Sequence, residues 1–160
     1  MPTPAQGSSA GLYDHLYYNT GTYTTPAWVE IDGVSDVNLG DECNDIAIKI
    51  RRFKHEIHLR GQRKKELTFN MLTEVNGTPW IAINAAFNAD PGTVMDFLVM
   101  IVGTSVLSGS IGFRLQVEIM DFPKKQSLED ADMNEVKAVP AARYFSTETT
   151  IHEPAVFVVT

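Results

Sequence analysis

His55-Glu56-Ile57-His58 is the first place where this sequence sets chemistry-bearing side chains close together. A zinc-hydrolase pair requires two histidines four apart on a helix, so that both imidazoles face one metal. Here they are three apart in a polar stretch, a spacing that extended backbone sends to opposite faces. They are expected to be loop histidines beside lysines. Ser108-Gly109-Ser110-Ile111-Gly112 reads as a turn between two strands, not the strand-to-helix elbow that activates a serine. No Gly-x-Gly-x-x-Gly opens a helix, so a phosphate-cradling loop is not expected. The acidic run Glu129 to Glu135 lacks the sixth-position glycine of a helix-loop-helix calcium site and reads as a solvated loop or subunit contact. Cys43 is the single cysteine and cannot close an intramolecular disulfide; Asp41, Glu42 and Asp45 beside it disfavour a thiolate. No convergent acid-base set can be named. The expectation is a protein with no cofactor, no metal and no enzymatic activity.

The elements that would position these residues are mostly strands. Trp28 to Ile31 is rich in strand formers, and Asp32-Gly33 is a tight-turn pair. Ile46, Ile48 and Ile50 alternate with Ala47, Lys49 and Arg51, which predicts a half-buried strand over 46–52 with a basic outer surface. Residues 53–65 are polar and contain Gly61, which predicts a long loop. Leu67, Phe69 and Met71 alternate with Glu66, Thr68 and Asn70 in the next strand. Thr78-Pro79 opens the one good helix signal: Thr78 suits the cap and Pro79 the first turn. Trp80, Ile83 and Phe87 then share a face over about two turns. Val94 to Val102 is almost wholly apolar and predicts a buried strand interrupted by Asp96. Phe113, Leu115, Val117 and Ile119 alternate with Arg114, Gln116 and Glu118, the clearest amphipathic pattern in the chain. Asn134 to Pro140 alternates weakly, and Ala155 to Val159 is an apolar run suited to an edge strand. Six or more strands with one short helix describe a mainly β fold, an antiparallel β-sandwich or barrel with one short flanking α-helix. Residues 1–11 read as a flexible arm, 12–144 as the β domain, and 145–160 as a C-terminal extension carrying an interface strand.

With 160 residues, 44% of them hydrophobic, the chain is long enough for one well-buried core. No apolar run approaches the ~18 residues of a membrane span. The N-terminus has neither the basic region nor the apolar core of a secretory signal. The net charge of −7 argues against tight binding of nucleic acid through its phosphates. Yet eight of the 13 bases fall between Lys49 and Lys65, away from the acids at 41–45 and 129–135. Separated patches of opposite sign can complement other copies of the same chain. Strand borders that must be paired or blunted point the same way.

A family resemblance enters at Leu16-Tyr17-Tyr18-Asn19-Thr20-Gly21-Thr22-Tyr23, followed by Pro26, Trp28, Glu30-Ile31 and Val34-Ser35-Asp36-Val37. With the strands and helix that follow in order, Gly112-Phe113-Arg114, Phe122-Pro123 and Leu128 to Ala131, the chain resembles the tail tube proteins of long-tailed bacteriophages and related prophage elements. The resemblance runs from about Leu12 to Pro140. It implies a β-sandwich with a flanking helix, and six copies whose inner sheets close into a barrel. Such rings stack into a tube that holds a tape-measure protein and later conducts DNA. It also implies a tail terminator and tip proteins as partners, a place in the virion tail, synthesis in the host bacterial cytoplasm and no membrane. On that scheme strands 46–52, 66–72 and 113–120 build the inner sheet. Glu66, Thr68, Asn70, Gln116 and Glu118 are candidates to face the lumen. Arg60, Arg63, Lys64 and Lys65 are candidates to contact Glu129, Asp130 and Asp132 of a neighbouring subunit or ring. The rival expectation is a ligand-binding β-barrel or sandwich, with a cavity lined by Tyr17, Trp28 and Phe113.

Overall fold

The computed structural model describes residues 15–49, 51–52, 54, 56–73, 77–102, 108–123 and 133–160. The proposed N-terminal arm, His55 and the acidic run containing Glu129, Asp130 and Asp132 lie outside them. The described chain is mainly β with a single helix. The strands are β1 (Leu16–Asn19), β2 (Trp28–Glu30), β3 (Val34–Ile48), β4 (Ile57–Leu72), β5 (Met95–Val102), β6 (Ile111–Asp121), β7 (Met133–Pro140) and β8 (Ala155–Val158), with α1 (Thr78–Asn88) between β4 and β5. They form one curled antiparallel sheet, a half-barrel, in the order β2-β1-β5-β6-β7-β4-β3. β8 pairs with the first half of β6, on the edge whose second half pairs with β7.

One face of the sheet carries the main core. Leu67, Phe69 and Met71 of β4 point into it, as do Met95 and Phe97 of β5, Leu115, Val117 and Ile119 of β6, and Val136 and Ala138 of β7. The register explains the match: Phe69 faces Val136, and Ala138 stands between Leu67 and Ile119. Helix α1 closes this face. Its Ile83 and Ala86 are buried, and its Trp80 and Phe87 rings both meet Phe122 at centroid distances of 6.0 and 6.3 Å. The shared face of Trp80, Ile83 and Phe87 is as the spacing predicts. The cap is not: Gly77 holds that position, without a side-chain hydrogen bond, and the helix runs 11 residues instead of two turns.

Three further strand expectations are corrected. Residues 57–65, expected as loop, are the first half of β4, paired with residues 41–48 of β3 in a long two-stranded ribbon. Both strands of this ribbon project beyond the body, so neither shows the burial that makes a strand visible in sequence. For the same reason the apolar face expected to be buried in 46–52 is not covered: Ile46 is 50% exposed, as is Leu59 opposite it. The regular strand ends at Ile48, so Arg51 and Arg52 belong to the turn. In β6, Arg114 and Gln116 do not form a solvated outer face; both are buried.

Candidate assembly surfaces

The second face of the sheet is divided. Over β1, β5 and β6 it is roofed by residues 20–28 and by the C-terminal segment from Ala141 onward. Asn19, in the Asn-Thr-Gly turn, organises the first part of this roof. Its side-chain oxygen accepts from the Gly21 and Ala27 N–H groups at 2.8 and 2.9 Å. Its amide nitrogen donates to Thr22 O at 2.9 Å and to Asp96 at 3.0 Å. Asp96 in turn accepts from Arg114 Nη2 at 2.6 Å. The Arg114 guanidinium also donates to Tyr23 O and lies 3.8 Å from the centre of the Tyr23 ring, with Trp28 and Phe157 at its other sides. His152 stacks on the far side of Tyr23 at 3.6 Å. The arrangement is a latch: a buried ion pair inside an aromatic cage that joins the turn after β1, the sheet and the C-terminal segment.

The rings named for a ligand cavity do not converge on one: Trp28 borders a surface groove of about 480 Å³ with Tyr23, Arg114 and Phe157, while Tyr17 is buried and Phe113 packs under Lys65. Tyr17 and Trp28 belong to a small cluster with Leu98, Met100 and Phe157. Phe113 lies beneath the Lys65 ammonium, 4.6 Å from the ring centre.

Over β3, β4 and β7 the second face is open and polar. Glu66, Thr68 and Asn70 project from it side by side, opposite Leu67, Phe69 and Met71. The Glu66 carboxylate meets Lys137 Nζ at 3.1 Å and Lys64 Nζ at 3.5 Å. The Lys137 hydrogen bond, opposed by partial desolvation and helped by the charges of Lys137 and Lys64, holds this carboxyl below its ordinary range. A shallow groove of about 160 Å³ runs between Asn38, Gly40, Glu42, Lys64, Glu66 and Thr68. Asn70 donates to Asp36, which sits at a bulge with φ 53.

Of the candidates for an inner surface, Glu66, Thr68 and Asn70 share this open area. Glu118 lies on the same face but is held by Arg143 Nε at 2.7 Å. Gln116 is a correction. At 2% exposure it has no free surface, because Ala141 N binds its backbone oxygen and the C-terminal segment lies over it. The inner-sheet expectation paired 46–52 with 66–72; instead residues 46–48 pair with 57–59, and residues 66–72 lie between the first part of β3 and β7, with β6 beyond β7 in the same sheet.

The ribbon holds the contact candidates. Arg63 binds both oxygens of Asp41, Nε at 2.9 Å and Nη2 at 2.5 Å. Arg60 Nε lies 2.9 Å from Cys43 Sγ, and His58 pairs with Asp45 at 2.7 Å. These bases thus have partners on the opposing strand of their own chain. The register also makes the ribbon two-faced. Ile46 faces Leu59 and Ile48 faces Ile57, an apolar quartet on one side; Asp45, Ala47, His58 and Arg60 lie on the other. Gly61 lies beside this quartet, and a Cβ there would stand 2.9 Å from Asn44 O and 3.1 Å from Ile46 Cδ1. At the ribbon's end Lys49, Arg51, Arg52 and Lys54 are exposed, and among the described residues none has a carboxylate partner. The sequence divides these four between a predicted strand, 46–52, and the loop after it. Their clustering at one pole follows from the hairpin register, which no local pattern reports.

No protein-family model and no curated protein sequence matches this chain. Solved structures do. A chain in the tail of an empty GTA particle, refined helically with C6 symmetry, superposes with a TM-score of 0.59 at 12% identity over 82% of this chain and 96% of that one. A chain in the sheath/tube terminator structure of PVC, an extracellular contractile injection system in the extended state, gives 0.58 at 7% identity over 99% and 98%. One in the PVC sheath-tube complex gives 0.55 at 8% identity over 92% and 90%. At these identities the likeness is one of fold: this chain shares its architecture with chains found in tail and injection particles.

Proposed function

We propose that this protein is a non-enzymatic structural subunit of a phage-type tail tube, assembling with itself into hexameric rings that stack around a channel. The observation that carries this reading is the two-faced ribbon. Its apolar quartet Ile46, Ile48, Ile57 and Leu59 alternates as buried residues do, yet the single chain leaves Ile46 and Leu59 half exposed. A two-stranded ribbon is marginal in water by itself. Burying its apolar side against a neighbouring copy supplies the missing contact. The outer edge of β3, at the end of the strand order, is a second unfinished border that a neighbour completes. The shared fold with tail-particle chains supports the same reading.

In the ring, the open face bearing Glu66, Thr68 and Asn70 lines the bore. Its mixed charges, Glu42 and Glu66 against Lys64 and Lys137, give a wall that does not grip phosphates, as DNA passage requires. A tape-measure protein fills the bore during assembly, and terminator and tip proteins close the ends. The subunit then resides in the virion tail after synthesis in the host cytoplasm.

The test is negative-stain microscopy with light scattering over a concentration series. Unsubstituted protein forms rings or tubes; the Ile46→Lys/Leu59→Lys variant stays folded and monomeric. A native chain that remains monomeric at every concentration overturns the proposal.

A further inference from the structure

Resting on the stacked-ring reading, we infer that the basic tip of the ribbon seats in a specific groove at the opposite pole of the next copy. That groove, about 400 Å³, lies where β3 begins and β4 ends, with apolar walls from Val29, Met71, Pro79 and Trp80 and with Glu30 and Asp32 on its rim. The tip carries Lys49, Arg51, Arg52 and Lys54, followed toward the body by the apolar quartet.

Two independent features match these surfaces. The first is chemistry. A basic end with an apolar flank meets an acidic rim with apolar walls, and opposite charges steer and register such contacts. Within the groove, Glu30 is engaged by His15, while Asp32 is exposed and among the described residues has no cationic partner. The start of α1 brings a partial positive charge of about half a unit, which the two carboxylates outweigh. The second is position. Tip and groove are the two ends of the β3–β4 hairpin, separated by the 15 residues of β3, about 50 Å at ~3.3 Å per residue. A contact between unlike ends is heterologous and cannot close as a two-fold pair; where other edges already close the ring, it propagates along the axis and builds a stack.

Charge reversal with rescue tests this in the full chain. Asp32→Lys is expected to stop growth at single rings, as is Arg51→Glu/Arg52→Glu. Combining the two restores tubes by negative-stain microscopy. In a Cys43→Ser background, Asp32→Cys with Arg51→Cys yields an oxidation-dependent ladder of covalent oligomers. Normal tubes from Asp32→Lys, or an arrest that the compensating reversal does not relieve, overturn the groove assignment while the tube reading stands. Unsubstituted protein that forms neither rings nor tubes overturns both.

Discussion

Arg114 crosses from β6 to Asp96 on β5 and binds it at 2.6 Å, with side chains 6% and 0% exposed. A charge pair this dry holds only because other groups complete it: Asn19 donates to Asp96, Tyr23 O accepts from Arg114, and three rings surround the guanidinium. Removing one partner strands the other in a water-free site.

Asp96→Ala is therefore expected to cost about 3–5 kcal/mol of stability, whereas replacing both members, as Asp96→Leu/Arg114→Met, costs much less. Urea unfolding of the two variants and the parent checks the order. Equal losses would show that the pair is not a coupled unit.

The turn after β1 depends on one amide. Asn19→Ala leaves the Gly21 and Ala27 N–H groups without their acceptor and is expected to cost about 1–3 kcal/mol. Limited proteolysis between residues 20 and 27 should accelerate in the same variant, since the roof over Arg114 loosens. Unchanged cleavage would count against the role given to Asn19.

Gly112 has no room for a side chain. A Cβ there would stand 2.5 Å from Leu98 Cδ1 and 2.9 Å from Val99 O. Gly112→Ala should lower stability by about 1–3 kcal/mol, as overpacking does. Thermal unfolding gives the sign directly, and a neutral result would mean that β5 and β6 separate more freely than their register indicates.

Glu66 offers a pH test. Its carboxyl is held below its ordinary value of 4.5, first by the Lys137 hydrogen bond. A depressed folded value means that the stabilisation is present above the unfolded carboxyl's pKa and disappears as pH falls through the folded one. NMR titration should place the Glu66 midpoint below 4.5, and Lys137→Met should raise it. A midpoint indifferent to Lys137 would refute the assignment.

The parts of the fold that pack within one chain were readable, because burial imprints a period on sequence. Leu67, Phe69 and Met71 alternate because one side of β4 meets the core, and Trp80, Ile83 and Phe87 repeat because α1 lies on the sheet. The ribbon was half-read. Ile46 and Ile48 showed alternation, but in residues 57–65 only Ile57 and Leu59 are apolar, followed by Arg60, Arg63, Lys64 and Lys65, and no core enforces a pattern on them. Arg114 misled in the opposite way. A basic residue in an alternating strand suggests solvent, and only the pairing of β5 with β6, the turn at Asn19 and the C-terminal segment turn its position into an interior. Gln116 was placed on an open surface for the same reason.

A ribbon with unlike ends makes any filament built from it polar. One terminus of such a tube displays cationic tips with nothing to enter; the other displays vacant acidic clefts. Whatever closes the first must bring carboxylates, and whatever starts the second must bring a basic prong. The two caps therefore need different chemistry, and elongation has a built-in direction.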